Sequence, residues 1–444
     1  MKEMIAVEDA QDLINNSVGL LNVETVPLLE AVGRICARDI VADIDITPFD
    51  NSAMDGYAVF SADLEKASQE NPINLKVIAE VPAGSFFEGV VQSGECVRIM
   101  TGAAMPVAQG SRAVPDSVVK YEIVEEISLG GMAGGEVRFT SPAKPGSNVR
   151  PAGEEIKAGN VALSAGEMVT TAGVGFIASC GALEVQVYAR PKVAILPIGS
   201  ELVDPTQVPA RGMIRNSNGY ALAAQAKDAG AQVSLFPIIP DDYEALKTAV
   251  LQAARDHDFV VTSGGACDGD FDFIKPAVQE LGELLISTVN MRPGKAQTFG
   301  IVNSTPVLGL AGNPAAAYLG FDTLIRPALR KMQGFSLTNR PYVYATLKND
   351  QKKRDPRRIF TRGNVHFEND GFIFEPAKNQ GSASFGVLHK SNCLGILPEG
   401  AGGLEAGTKI KCILHEAPEE LVVLSFESSA SASMVSSAQD KETK

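Results

Sequence analysis

The sequence predicts a multidomain chain of α/β and β type: a central βαβ domain with a parallel-type sheet, a small β-rich domain, a helical linker domain and a C-terminal β-barrel. Three observations carry this. The chain has 444 residues, more than one compact core holds at about 150 residues per domain. Between Val193 and Leu329 continuous apolar runs alternate with helical segments, the pattern of a parallel sheet covered on both faces. On both sides of that region short strand-like runs are punctuated by Gly, Pro and Ser, as in small β domains.

From the N-terminus, Val7 to Asp43 carries two amphipathic patterns: Val7, Ala10, Leu13 and Ile14 on one face, then Leu28, Leu29, Val32, Ile35 and Cys36 on another, predicting two packing helices. Runs such as Leu75 to Val81 and Cys96 to Met100 predict strands of the small β unit. The glycines at 130, 131, 134 and 135 predict a mobile hairpin loop, since no helix follows to make a phosphate cradle. In the βαβ region VAILPI, QVSLFPI and FVVTSGG are strands, with helices after Asn216-Ser217-Asn218 and after Asp241, whose spacing to Glu244 fits a capping box. Beyond Arg340 the strands YVYATLK, RIFTRGNVHF, GFIFEPA, LGILP, KIKCIL and ELVVLSF predict the barrel. The Ser/Ala-rich tail after Phe426 is expected to be disordered. The expected boundaries are 1–46 with 146–178 for the linker domain, 47–145 for the β-rich domain, 179–332 for the α/β domain, 333–426 for the barrel and 427–444 for the tail.

Composition narrows the function. With 39 basic and 53 acidic residues the formal charge is −14, which argues against nucleic acid or an anionic membrane as partner. An anionic ligand would need a local basic pocket. The six cysteines form no C-x-x-C pair, so neither a disulfide framework nor a thiolate zinc site is expected. The N-terminal acids interrupt any signal-like apolar run and no stretch is long enough for a membrane span, making the cytoplasm the default expectation. The four histidines are too dispersed for an H-E-x-x-H site, and neither a P-loop nor a G-x-S-x-G elbow is present.

Ligands of open parallel sheets sit at the carboxyl ends of strands. Three such ends carry polar or glycine-rich sequence: Gly199-Ser200-Glu201, Thr262-Ser263-Gly264-Gly265 and Ala311-Gly312-Asn313-Pro314. Glycine permits close backbone approach and Asn313-Pro314 opens a helix toward an anion, although Gly-Asn-Pro is also an ordinary turn. Asp270 and Asp272 follow the second loop and their carboxylates are hard oxygens of the kind Mg²⁺ needs; for Asp270 a helix cap is the favoured reading. Arg292 and Lys295 flank a Pro-Gly turn suited to gripping an oxyanion. Asp50 and Asp55 flank a tight turn, and Thr101-Gly102 ends a strand. Arg354, Arg357, Arg358 and Arg362 form a basic cluster, for which composition alone favours a water-facing role.

The ordered motifs PFDNSAMDGYAV, RIMTGAAMP, VRPAGEEIKAG, IRNSNGY, TSGGACDGDFD, NMRPGKAQTFG, LAGNPAAA and LPEG make the chain resemble the molybdopterin molybdenumtransferase family, which is similar to the E domain of gephyrin, from about Val7 to Leu424. The resemblance implies a molybdopterin-binding-like α/β domain and an elongated homodimer of four-domain subunits with the active site between subunits. It implies insertion of molybdenum from molybdate into adenylylated molybdopterin, with Mg²⁺-dependent cleavage releasing AMP, and contact with the molybdopterin adenylyltransferase. Carried over by motif, Asp55 is an essential acid supplied by the partner subunit, beside Thr101. Glu201, Asp242 and Asp272 line the α/β side as catalytic or metal-holding carboxylates. Lys295 joins them in catalysis. Gly264, Gly265, Arg292 and Asn313 bind substrate, with Arg362 and Ser382 contributed by the last domain.

Departures from the family pattern are Ser200 in place of Asp, Ala266-Cys267-Asp268 where Val-Ser-Val is common, Ala296 and Ala311 in place of prolines, Glu155 for Asp and Thr288 at a place that can be lysine. They leave two alternatives: a non-catalytic molybdopterin-binding scaffold, or a paralogue preferring tungstate. Retention of Asp55, Glu201, Asp272 and Lys295 favours the enzyme.

Overall fold

The computed structural model describes residues 1–107, 113–265, 273–368, 371–400 and 402–415. The chain forms two compact units, one of residues 1–24 and 188–444 and one of residues 25–187. The predicted strand ELVVLSF and the tail 427–444 lie outside the described residues, as do Asp270, Asp272 and the loop Ala266-Cys267-Asp268.

In the first unit a six-stranded sheet runs in the order Gln232–Leu235, Lys192–Pro197, Phe259–Ser263, Thr305–Leu310, Gln297–Val302, Gly282–Ile286. All run one way except Gln297–Val302, which is antiparallel to both neighbours. It is turned back on Thr305–Leu310 by Asn303-Ser304, both with positive φ, the backbone of a two-residue hairpin whose twist matches the strands. The central strands are apolar throughout because each face buries its own layer. Val193, Ile195, Phe259 and Val261 face a core shared with Leu222 of the helix Ser217–Asp228. Ala194, Leu196 and Val260 face another, shared with Leu246 and Val250 of the helix Tyr243–Asp256. Burial at successive positions on opposite faces is the period-two signature of a doubly covered strand.

The helix Val7–Asn16 forms as its spacing predicts, burying Val7, Ala10 and Ile14 in the same core as Val193 and Phe321. The second predicted helix does not. The helical structure in residues 28–43 is limited to one 3-10 turn, Leu28–Ala31, and Ile40–Val41 is a short strand. The turn follows the short strand Val23–Pro27 and meets Gly33 at φ +76°, a left-handed position at which helices stop. Leu29 stays 78% exposed.

The last domain is a closed barrel in which Arg358–Glu368, Gly371–Pro376, Tyr342–Leu347, Lys409–Leu414 and Cys393–Leu397 pair in turn and the ring closes on Arg358–Glu368. Phe374, Ala345, Cys393 and Cys412 fill it. One further strand, Met291–Arg292, leaves the α/β domain and pairs in parallel with Arg358 and Ile359 of the barrel. That ladder fixes where Arg292 stands.

The second unit is built on a six-stranded sheet ordered Ser117–Lys120, Gly56–Val59, Glu95–Ile99, Ile73–Val81, Glu136–Phe139, Val124–Ser128. Tyr57, Leu75, Val77, Cys96 and Phe139 pack one face. The glycines at 130 and 131 turn the last hairpin through a single 3-10 turn. The helix Thr171–Ser179, whose Ile177 packs with Val26, Leu28, Val185 and Val187, is capped by the Thr170 side chain, which accepts from the Gly173 N–H at 2.9 Å.

Candidate functional site

The three polar strand ends converge. Ile198, Glu201, Ser263, Gly264, Gly312 and Pro314 line one narrow cleft of about 70 Å³. Gly264 is what lets it close. Gly264 has φ +94°, and a Cβ there would lie 2.2 Å from the Ile198 carbonyl oxygen, while the nearest atom to a Cβ on Gly312 is the Gly264 Cα at 3.7 Å. Gly265 also takes positive φ.

Asn218, which the sequence reading placed only at a helix start, joins two of these ends. Its amide donates to the Ser263 hydroxyl at 2.9 Å and to the Gly312 carbonyl at 2.8 Å. The third end is pinned from below. The Ser200 N–H donates to the Asp241 carboxylate at 2.8 Å and the Asp241 N–H to the Ser200 hydroxyl at 2.9 Å. Asp241 is therefore not the helix cap. Asp242 fills that place, accepting from the Ala245 N–H at 2.7 Å, because its extended backbone aims the carboxylate at the first free N–H groups.

Among the described residues no three Asp, Glu, His or Cys side chains cluster closely enough to hold a metal by themselves. A cation held here would have to rest on one or two carboxylates and on water and ligand oxygens, the coordination that Mg²⁺ accepts. Glu201 and the second oxygen of Asp242 are hard donors of that class, so the residues fit the ion.

Beside this cleft, in the same unit, lies a larger cavity of about 690 Å³. The α/β domain contributes Arg292, Lys295 and Asn313; the barrel contributes Lys352, Lys353, Arg354, Arg357, Arg362 and Ser382. The basic cluster read as water-facing is thus divided. Arg354, Arg357 and Arg362 line the cavity, whereas Arg358, which opens the strand that carries Arg362, pairs with Glu8 and Glu399.

Arg362 is only 1% exposed. Burial alone lowers its pKa, and its Nε and Nη1 have no hydrogen-bond partner among the described residues. A buried guanidinium with open donors costs free energy until an anion fills it. Its backbone is held firmly, since the Arg362 N–H donates to the Gln380 side chain at 3.1 Å and that amide donates back to the Arg362 carbonyl at 2.8 Å. Ser382 faces the same space and its carbonyl accepts from the Ala315 N–H at 2.8 Å. Barrel and α/β loops are thereby held together.

Arg292 is anchored differently. Its guanidinium donates to the Asp355 carboxylate at 3.1 Å, and Asp355 also receives the Nε of Arg357 at 2.9 Å. These guanidinium bonds hold the Asp355 carboxyl well below the usual carboxylate range.

In the second unit Asp55 is exposed on the turn before Gly56–Val59. One carboxylate oxygen accepts both the backbone N–H and the hydroxyl of Thr101, each at 2.7 Å. Those bonds lower its pKa, keeping it ionised. Asp50 does not share this role. Its carboxylate accepts from the Ala152 N–H at 2.7 Å and holds a neighbouring loop.

Comparison with known proteins accounts for both units. Three family models match in order: "MoeA N-terminal region (domain I and II)" over residues 5–181, "Probable molybdopterin binding domain" over 194–331 and "MoeA C-terminal region (domain IV)" over 344–415. The chain is 35% identical to a molybdopterin molybdenumtransferase of Staphylococcus aureus (strain COL), covering 94% of this chain and 98% of that one. It is 33% identical to a protein of the same name in Staphylococcus epidermidis, covering 94% and 98%. Among solved structures, a molybdopterin biosynthesis MoeA protein from Pyrococcus horikoshii superposes with TM-score 0.78 at 30% identity, covering 94% of this chain and all of that one.

Proposed function

Because the chain belongs to the molybdopterin molybdenumtransferase family and is an enzyme of molybdenum cofactor biosynthesis, we propose that it transfers molybdenum from molybdate into adenylylated molybdopterin, with Mg²⁺-dependent cleavage that releases AMP. The observation that carries this reading is the cation-lined cavity in a chain of net charge −14. Two anions, a pyrophosphate and an oxometallate, must be gathered there against a repelling protein field, and a local cluster of cations does so.

Arg362 offers its open donors to one anion from inside the wall, and Ser382 adds a hydroxyl. Arg292 and Lys295 hold phosphate or molybdate oxygens from the opposite side and stabilise charge that develops on the leaving phosphate. The cleft bounded by Gly264 and Asn218, which closes because no side chain stands between Gly264 and the Ile198 carbonyl, admits the pterin phosphate, with Gly265 and Asn313 next in the chain to its lining. Glu201 and Asp242 are the carboxylates that would hold Mg²⁺; Asp272 belongs with them by motif. When bound, the ion offsets charge on the pyrophosphate oxygens. Asp55, kept ionised by Thr101, orients a water or accepts its proton. What supports a homodimer, with Asp55 supplied by the partner subunit, and a supply of substrate by the adenylyltransferase is the family resemblance carried by PFDNSAMDGYAV.

The test is direct. Purified protein given adenylylated molybdopterin, Mg²⁺ and molybdate is expected to release AMP, with tungstate run in parallel to read oxyanion preference. Tight pterin binding without AMP release under either oxyanion would replace this reading with the scaffold alternative.

A further inference from the structure

The cavity holds cations of two kinds. Arg362 reaches it with no acidic partner among the described residues. Arg292 and Arg357 reach it already tied to one carboxylate, that of Asp355, which does not itself line the space. The contacts are specific. Asp355 Oδ1 accepts from the Arg357 N–H at 3.0 Å and its Nε at 2.9 Å, while Oδ2 takes the Nη2 of Arg357 and, at 3.1 Å, the Nη1 of Arg292.

Asp355 is 11% exposed at its side chain, against 57% for Arg292. The acid is therefore sheltered while one guanidinium remains largely open toward solvent. The two arginines come from different domains, 65 residues apart in sequence, and the ladder of Met291–Arg292 on Arg358–Ile359 brings their backbones alongside. A free arginine side chain loses rotamer entropy on being immobilised. Asp355 has the two guanidiniums ordered before any ligand arrives, which lowers the cost of binding.

We propose that Asp355 is a positioning residue for the oxyanion pocket, orienting Arg292 and Arg357 from behind so that their outward N–H groups meet a tetrahedral oxyanion. The inference rests on the function proposed above, in that it takes this cavity as the place where the oxyanion substrate binds. Its sign separates it from simple charge balance. A carboxylate near an anion site should weaken binding by repulsion, so removing it should tighten binding; if its work is positioning, removing it loosens binding.

Equilibrium dialysis of the full chain against molybdate reads the difference. For Asp355→Asn the dissociation constant is expected to rise about tenfold. Asp355→Glu, which keeps the charge, displaces the carboxylate by one methylene and is the variant better able to fold, should raise it about threefold to fivefold. Arg358→Gln, three residues further on at the start of the barrel strand but outside this cavity, should leave it unchanged, which separates positioning from general loosening of the barrel. Unchanged or tighter binding in the Asp355 variants overturns the role of Asp355 while leaving the pocket in place. Failure of the unaltered protein to bind molybdate or tungstate overturns both readings.

Discussion

The Asp55 turn and the Arg362 cavity are the two chemically loaded regions of the chain, and they are built in opposite ways. Asp55 sits exposed at a strand start and is finished by two hydrogen bonds from the next strand's exit, Thr101. The cavity is assembled from a Pro-Gly turn, a helix start, a barrel entry segment and a barrel strand, and its central cation is buried. A carboxylate in water needs little support to stay charged. A guanidinium out of water needs its backbone fixed from several sides, and its free energy of burial is offset only when an anion arrives.

The difference can be broken at either end. The largest effect is expected from Asp55→Asn, which keeps the turn and the Thr101 contact in shape while removing the charge: AMP release should fall roughly 10³-fold, with circular dichroism unchanged. Full release by that variant would remove Asp55 from the reaction. Next, Arg362→Met should weaken molybdate binding roughly 100-fold, the loss of about two charge-assisted hydrogen bonds. It should also leave thermal stability equal or higher, since it replaces a buried unpaired cation with an apolar side chain; a marked fall in melting temperature would count against this account of the site.

Smaller effects sharpen the contrast. Thr101→Val removes the hydroxyl donor to Asp55 and should cost about tenfold in rate. Because that bond lowers the Asp55 pKa, its loss raises the pKa, so the acidic limb of the pH–rate profile must move to higher pH. A shift in the other direction would contradict the assignment. Smallest is Asp242→Ala, which removes the cap of the helix Tyr243–Asp256 and should lower stability by about 1 kcal/mol in denaturant titration. Any larger loss of Mg²⁺-dependent activity then reports the second carboxylate oxygen.

Legibility in the sequence follows the same division. The βαβ core was readable because strands such as Phe259–Ser263 are buried along their whole length and carry no polar alternation to confuse them. The convergence of the three strand ends was legible because strand topology places them together, and Gly264 marks the close approach with backbone geometry that only glycine relieves. The second N-terminal helix was misread: Leu28, Leu29 and Val32 have helical spacing, but Gly33 and the flanking strand override it, and tertiary context outweighs a short periodicity. Arg354, Arg357 and Arg358 look alike in sequence, yet one pairs with Glu8 and the others face the cavity. Such partners depend on contacts hundreds of residues apart, which local spacing does not encode. Asn218 was visible as a helix start, and nothing short of the fold places its amide across Ser263 and Gly312.

The two-rung ladder between Met291–Arg292 and Arg358–Ile359 bears on how such a chain can be cut and recombined. The link between α/β domain and barrel around residues 333–341 looks like a natural joint. A gene split there would leave Arg292 on a bare edge with its backbone groups unpaired and its acid on the other fragment. The barrel is consequently no interchangeable cassette. A chimera that borrows a foreign barrel keeps an intact pocket only if the segment from Asp355 to Ile359 travels with the α/β domain it was fitted to.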